Sequence, residues 1–212
     1  MKQKVVVFSP HPDDDLIGCG GSLINHLKEG ADVLVVYLTS GELGTLGYIP
    51  KKLAKIRETE ARSAAKIIGL KKLIFLRQPD SCLKFTKKLL AKVVKIISHE
   101  KPNIIYIPHA KENNADHVAT YKIVKSAVKN VLTKKGNRIA PIILEYEIWT
   151  TLQNYNYIED ISRSMNLKIL ALKKHKTQLI SKNYAEAAKN LARYRGIMTG
   201  KGNYVEVFKM IN

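Results

Sequence analysis

Apolar runs alternate with amphipathic segments along the first 150 residues of the chain. Near-continuous runs of Val, Leu and Ile, such as those at 4–9 and 32–38, are each followed by a polar loop and a segment with helical periodicity. Runs without apolar/polar alternation indicate strands covered on both faces, and strands separated by helices form parallel sheets through right-handed crossovers. The pattern predicts a three-layer α/β/α sandwich with a Rossmann-like, mostly parallel sheet.

The same pattern places the individual elements. We expect strands at 4–9, 32–38, 72–76, 103–107 and 141–149, and helices at 16–28, 51–68, 84–99 and 117–133. The last third is less regular and predicts a strand near 157–162, helices at 167–179 and 185–194, and a closing strand at 204–209. A chain of 212 residues without an internal repeat or linker suffices for one core, so we expect a single domain over residues 1–212.

The positive charge changes this picture less than its size suggests. The formal net charge is +18, but the lysines are scattered over every predicted helix, which is typical of solvated helix faces. Base-reading arginine forks and aromatic residues interleaved with basic ones are not evident. We therefore expect no dedicated nucleic-acid binding.

Cysteine usage and hydropathy bear on the compartment. Cys19 and Cys82 lack zinc-like or redox-like spacing and are interpreted as small buried thiols. The first residues lack the apolar region of a signal peptide, and no apolar stretch reaches the roughly 18 residues that a membrane-spanning helix needs. We expect a cytoplasmic protein without a transmembrane segment.

The chemistry is expected where the predicted strands end, because ligands of open α/β sheets bind beyond the carboxyl ends of the strands. His11, Asp13 and Asp14 crowd one turn after the first strand, and a histidine with two carboxylates repels and desolvates itself unless a positive group lies among them. A divalent metal is the simplest candidate. His11 and Asp14 would supply two ligands and His117 the third, which leaves one position of a zinc ion open for water.

Two neighbouring carboxylates have separate roles in this interpretation. Asp116 could orient an imidazole as a hydrogen-bond partner. Asp13 is free to accept a proton from water as general base. The structural alternative is that Asp14 only caps the following helix and that the histidines are surface residues at loop ends.

These residues resemble the PIG-L or LmbE-like family of zinc-dependent N-deacetylases, which act on N-acetylglucosamine conjugates. The resemblance covers nearly the whole chain, and its most specific marks are the segment Pro10, His11, Pro12, Asp13, Asp14 and the pair Asp116, His117, supported by Thr39, Gly41, Glu42 and Gly44. Weaker marks are Arg57, Glu60, Pro79, Asp80, Asp160, Ile161, Lys173, His175, Gln178, Arg195, Gly196, Tyr204, Glu206 and Phe208.

The resemblance implies one Zn²⁺ ion per chain on His11, Asp14 and His117, with Asp13 as general base, and a contact between Arg57 and the substrate. The family usually has a histidine three residues before the last ligand, and this chain has Asn114 there. Its amide could donate a hydrogen bond to a developing oxyanion, but it carries no positive charge. His109 and His175 are alternative donors of an imidazole and rank below Asn114.

The expected function is metal-dependent removal of the acetyl group from an N-acetylglucosamine-type sugar conjugate. Glycolipid precursors, thiol precursors, chito-oligosaccharides and nucleotide sugars all remain open as substrates, and homo-oligomers occur in the family. The alternative is a non-hydrolytic module that keeps the metal and binds a sugar or a polyanion, as Asn114 and the charge would allow. Asp13 favours the enzyme, because a binding module needs no base beside three ligands.

Overall fold

The computed structural model describes residues 2–134 and 140–211. The strands in these ranges are β1 (Lys4–Ser9), β2 (Asp32–Thr39), β3 (Lys72–Gln78), β4 (Ile104–Pro108), β5 (Ile142–Tyr146), β6 (Tyr157–Asp160) and β7 (Val205–Ile211). The helices are α1 (Asp14–Lys28), α2 (Pro50–Ile68), α3 (Lys87–Glu100), α4 (Ala115–Lys134), α5 (Met165–Leu172), α6 (Lys176–Leu179) and α7 (Tyr184–Thr199).

The strands form one sheet in the order β3-β2-β1-β4-β5-β7-β6. The first five strands of the chain are parallel, whereas β7 runs antiparallel to β5 and β6 antiparallel to β7. The chain builds outward from β1 to β3 and then returns to β4 on the other side of β1. Such a reversal opens a crevice beyond the carboxyl ends of the two central strands. The segments that follow β1 and β4 therefore meet there.

Successive residues of the buried strands face opposite helical layers. Val5 and Val7 belong to a core with α1, α2, α5 and α7, while Val6 and Phe8 belong to a second core with α3 and α4. Burial on both faces explains why the first strand is an unbroken apolar run. The predicted three-layer α/β/α sandwich with a mostly parallel sheet is confirmed.

Several predicted boundaries differ from the structure for local reasons. The helix expected at 167–179 is two helices, because the chain leaves helical geometry before α6 at His175 (φ −80°, ψ 59°). Helix α3 begins three residues later than expected, since the Thr86 hydroxyl caps it by accepting a hydrogen bond from Leu89 N (3.2 Å). Cys19 is buried as expected, but the expectation is wrong for Cys82, which is exposed.

Helix α1 is interrupted near its middle. Cys19 has non-helical dihedrals (φ −142°, ψ 18°), and the amides of Gly21 and Ser22 donate to the two carboxylate oxygens of Glu206 at 2.8 Å each. Lys168 Nζ donates to the same carboxylate at 2.8 Å. We call Gly21, Ser22, Lys168 and Glu206 the clamp cluster, because it ties α1 to α5 and to the last strand.

No helix in the described part of the chain combines the length and the apolar character needed to cross a membrane.

Candidate metal centre and active site

Three potential ligands meet at the crevice between β1 and β4. His11 lies in the turn after β1, Asp14 is the first residue of α1, and His117 lies in the first turn of α4. Asp14 Oδ2 is 2.9 Å from His11 Nδ1 and 3.3 Å from His117 Nε2, and one ligand atom from each residue lies within 4.8 Å of the others. These three residues could hold a metal ion.

The remaining ring nitrogens of both histidines already face carboxylates. His11 Nε2 lies 3.1 Å from Asp80 and 3.2 Å from Asp116, and His117 Nδ1 lies 3.3 Å from Glu112. A carboxylate only accepts hydrogen bonds, so these outer nitrogens keep their protons when the inner two, which face Asp14, offer their lone pairs to a metal.

In that state the two inward lone pairs and the Asp14 carboxylate converge on one point, where a cation would be held. His117 Nε2 is fully buried and has no hydrogen-bond partner among the described residues. Buried polar atoms are normally paired, so an orphaned acceptor beside a carboxylate is typical of a ligand site. Two imidazoles and one carboxylate are a ligand set that suits zinc and leaves a fourth position open. The residues present therefore fit a divalent ion.

Electrostatics points the same way. Burial alone lowers the pKa of both histidines, but the Asp14 carboxylate outweighs it and raises the pKa of His117 to about 9 and that of His11 well above its usual range. Burial raises the pKa of Asp14, yet the two histidines reverse this and lower it. The pocket thus favours a carboxylate opposite shared positive charge.

His11, Asp80 and Asp116 form a second group with metal-ligand spacing. The carboxylate of Asp116, however, already accepts the amides of Ser81 (2.8 Å) and Leu83 (2.9 Å). That of Asp80 accepts the amide of Leu43 at 2.7 Å. These bonds suit residues that orient the His11 ring, and Asp116 lies against His11 and not against its neighbour in sequence.

Glu112 is the partner of His117, and the sequence analysis missed it. Its carboxylate also accepts the amides of Ile148 (2.9 Å), Trp149 (3.1 Å) and Thr150 (3.2 Å). Burial raises the pKa of Glu112, but hydrogen bonds from the neighbouring histidines and these amides lower it to about 2. These amides end the pairing of β5, which stops at Tyr146 and not at 149 as predicted. The available signal was an acidic side chain five residues before His117 in a lysine-rich chain.

Asp13 lies directly beside the candidate ligands and is held in an unusual conformation. It is buried, and its backbone has φ 150° and ψ −28°, a conformation that residues other than glycine rarely adopt. Burial raises the pKa of Asp13 to about 7, against the lowering effect of Arg57. Strained backbone and a displaced pKa are both typical of functional groups.

Arg57 is the partner of Asp13. Its Nη2 donates to Asp13 Oδ1 (3.0 Å) and to the carbonyl of Pro12 (3.2 Å), and its Nη1 donates to the carbonyl of Gly41 (2.9 Å). Gly41 and Gly44 pack so closely on the guanidinium that a Cβ at either position would collide with it. Arg57 lines the cleft, so a contact with substrate stays a prediction, while its contact with Asp13 is part of the structure.

The three candidates for an oxyanion donor lie in different surroundings. Asn114 lines the cleft, and its Oδ1 caps α4 by accepting the amide of Asp116 at 2.8 Å. His109 instead donates to the carbonyl of Thr150 (2.7 Å) and contacts Glu112.

His175 is buried in the fold. Neither of its ring nitrogens has a hydrogen-bond partner within the described ranges, and burial lowers its pKa to about 3. Of the three candidates for the oxyanion role, the geometry thus favours Asn114.

These groups surround a cleft of about 150 Å³. Its lining consists of His11, Asp13, Asp14, Gly44, Arg57, Asp80, Ser81, Asn114, Trp149, Gln178 and Tyr184.

The fold and this site define an α/β sandwich protein with a candidate metal centre in the crevice between β1 and β4. The sequence profile of the PIG-L family, described as GlcNAc-PI de-N-acetylase, matches residues 6–128, which is more than half of the chain. The chain belongs to this family, as its sequence motifs indicate.

Relatives along the whole chain carry deacetylase names. The diacetylchitobiose deacetylase of Thermococcus kodakarensis is 29% identical over 223 residues, which cover 99% of this chain and 83% of that protein. The structure of N,N'-diacetylchitobiose deacetylase from Pyrococcus horikoshii is similar with a TM-score of 0.86 at 27% identity, covering 99% of this chain and 84% of that one.

A second similar structure shows that the fold alone does not determine the function. GalB, the 4-carboxy-2-hydroxymuconate hydratase of Pseudomonas putida KT2440, has a TM-score of 0.87 at 22% identity and covers 99% of this chain and 96% of its own. That likeness concerns the fold only, and the function has to be argued from the site.

Proposed function

We propose that this protein is a zinc-dependent N-deacetylase that hydrolyses the acetamido group of an N-acetylglucosamine-type sugar conjugate. The observation that carries the proposal is the convergence of His11 Nδ1, Asp14 Oδ2 and His117 Nε2. Beside them lies the buried carboxylate of Asp13, which is not one of the three candidate ligands. The names of the diacetylchitobiose deacetylases support the substrate class.

The metal would supply one part of the chemistry. Held by these three residues, a zinc ion would polarise the acetyl carbonyl and lower the pKa of a water molecule. The remaining steps belong to side chains of the chain itself.

Asp13 acts as the general base. Its carboxylate takes a proton from the attacking water, and the same proton is then available for the leaving amine nitrogen, so the group returns to its starting state. A pKa of about 7 for Asp13 suits both steps at neutral pH. A group whose pKa is close to the pH can accept a proton in one step and donate it in the next. Arg57 keeps one oxygen of Asp13 in place, which orients the other.

Asn114 is the candidate hydrogen-bond donor to the tetrahedral oxyanion. Because its Oδ1 caps α4, its Nδ2 is the atom that remains to donate into the cleft. A neutral amide donor of this kind contributes about 3 to 4 kcal/mol when it is aimed at the developing charge.

A non-hydrolytic module that binds a sugar or a polyanion is the second candidate, and the net charge of +18 and Asn114 are its motivation. The strained, buried Asp13 with its own arginine argues against it, because a module that only binds gains nothing from maintaining this pair.

The test is acetate release from N-acetylglucosamine and N,N'-diacetylchitobiose by protein that has been chelated and then reloaded with zinc. We expect release that depends on the metal and falls about a thousandfold in Asp13→Asn. Asp32→Asn, which removes a half-exposed carboxylate at the far end of β2, is the matched control and should retain activity. Zinc binding and sugar binding without acetate release would establish the binding module, and undiminished turnover of Asp13→Asn would remove this residue from the mechanism.

A further inference from the structure

Two aromatic side chains at the mouth of the cleft have no role in the chemistry above. Trp149 lies just beyond β5 and Tyr184 is the first residue of α7, and their ring centroids are 5.0 Å apart with planes inclined by 59°. Both line the cleft, and 40% of Trp149 is exposed. Aromatic side chains grouped at a cleft that also holds polar groups are typical of a ligand-binding surface.

Trp149 is fixed relative to the candidate metal ligands. Its backbone amide donates to both oxygens of Glu112 (3.1 and 3.3 Å), the carboxylate that also contacts His117 Nδ1. Its ring lies nearly parallel to the His117 ring, with centroids 6.5 Å apart and planes inclined by 19°. One buried carboxylate therefore sets both the ligand and the aromatic surface, so the distance between them does not depend on a mobile loop.

The size of the cleft indicates what this surface is for. A volume of about 150 Å³ is that of a cavity which holds a single benzene-sized group. That suffices for an acetamido group, but a hexose ring in addition has to lie at the mouth, where Trp149 and Tyr184 are.

The chemistry of the two rings selects the kind of group that binds there. An indole face presents apolar π surface and no hydrogen-bond acceptor, so it pairs with the C–H face of a pyranose and not with a phosphate or a carboxylate. The Tyr184 hydroxyl can donate or accept a hydrogen bond, which suits a sugar hydroxyl at the edge of the ring.

We propose that Trp149 and Tyr184 form a platform that binds the pyranose ring of the substrate and positions its acetamido group toward His11, Asp14 and His117. This inference rests on the proposed function for the identity of the reacting group, but the platform itself is a sugar-binding site and can be tested without hydrolysis.

The first experiment uses Trp149 as its own reporter, because it is the only tryptophan of the sequence. N-acetylglucosamine added to the zinc-loaded protein should shift the tryptophan emission to shorter wavelength and protect it from iodide quenching. Acetamide, which has the reacting group without the ring, should do neither. A sugar that binds by calorimetry and leaves the emission unchanged would overturn the platform.

The second experiment separates binding from support of the metal site. Trp149→Ala should raise the KM for N,N'-diacetylchitobiose, and the Kd for N-acetylglucosamine, about tenfold, with bound zinc unchanged and with part of the loss recovered in Trp149→Phe. An unchanged KM and Kd, or a rise that parallels loss of zinc, would overturn the proposal, because the ring would then serve only to cover His117.

Helix α7 offers a matched control for the second ring. Tyr184→Ala should raise the same constants several-fold, whereas Tyr194→Ala, an exposed tyrosine roughly 15 Å further along the same helix, should leave them unchanged. Equal effects of the two substitutions would contradict the assignment of Tyr184. If the sugar is bound as described but no probe releases acetate, the platform stands and the proposed hydrolysis fails.

Discussion

Helix α1 contacts buried charged groups at two places, and the two places differ in how completely their polar atoms are paired. In the clamp cluster, Lys168 donates to Glu206 and to the carbonyl of Ile17 (2.9 Å), and both oxygens of Glu206 accept further bonds. At the cleft, His117 Nε2 has no hydrogen-bond partner in the described part of the chain. Buried polar groups with all their hydrogen bonds made have a structural role. Buried polar atoms without a partner that converge on one point are typical of a ligand-binding site.

The clamp cluster and the candidate metal centre depend on each other through α1. The clamp cluster takes up the amides released at the break in α1, so these amides stay paired although the helix is kinked at Cys19. The first turn can then present Asp13 and Asp14 in a geometry that the rest of the helix does not have to share. The stable cluster thus supports the strained one.

The largest expected effect is the loss of the metal when the Asp14 carboxylate at the cleft is replaced by a neutral amide. Asp14→Asn keeps an acceptor for the His11 amide, which Asp14 Oδ2 now binds at 3.0 Å, but removes the negative charge that faces both histidines. We expect zinc affinity to fall by more than about a hundredfold, since the anionic ligand is lost. Competition with a fluorescent chelator measures this. Asp32→Asn is the control, and equal zinc affinity of the two variants would contradict the assignment of Asp14.

The next effect concerns the clamp cluster. Glu206→Gln leaves the Lys168 ammonium buried without its counter-ion, so we expect the free energy of unfolding in urea to fall by about 3 kcal/mol. Zinc bound per folded chain should stay at one. The double variant Lys168→Met with Glu206→Gln should recover part of the stability, because it removes the unpaired charge as well. A stable Glu206→Gln variant that fails to bind zinc would reverse the roles given to the two clusters.

A smaller effect is expected at Glu112, whose carboxylate contacts Nδ1 of the candidate ligand His117. Glu112→Gln retains the shape of the side chain but weakens its hold on His117 Nδ1 and on the amides after β5. Zinc affinity should fall about 10- to 100-fold, the usual range for a hydrogen-bond partner of a metal-bound histidine. A loss of stability with unchanged zinc affinity would make Glu112 a loop anchor only.

His175 sharpens the comparison as a buried group that has neither a partner nor a ligand role. Its folded pKa of about 3 lies below the usual value of 6.5, so between these values the unfolded chain binds a proton that the folded chain does not. Above pH 6.5 the titration of His175 therefore does not change the free energy of unfolding. Below that pH it lowers the free energy of unfolding by about 1.4 kcal/mol for each unit that the pH falls toward 3. His175→Leu, measured against the unmodified chain in urea at pH 7, 6 and 5 without metal, should gain in relative stability as the pH falls. A constant difference over this range would show that His175 does not titrate in this way.

The layers of the fold and the two halves of the site could be read from the sequence. Unbroken apolar strands between amphipathic helices are a local pattern, and the turns after β1 and β4 fall on the same edge of the sheet once the strands are parallel. Fold class and family are confirmed. The roles of Asp13, Asn114 and Arg57 remain predictions that the variants above test.

What the sequence could not provide depends on contacts distant along the chain. The break in α1 is stabilised by Glu206, 185 positions away from Gly21, and no periodicity within the helix reveals it. The same holds for Glu112, whose carboxylate is tied to amides 36 to 38 positions later. Asp116 could be identified as a partner of an imidazole, but which imidazole it orients is decided by tertiary packing.

The dependence of α1 on Glu206 bears on how the chain folds. The amides that the helix exposes at its break are taken up by a strand 185 positions later in the sequence, so these amides find their partner only after that strand has been made. Contacts over such long sequence separations slow folding, because the loop entropy has to be paid before the contact forms. The geometry of the cleft therefore forms late in folding, when α1 meets β7.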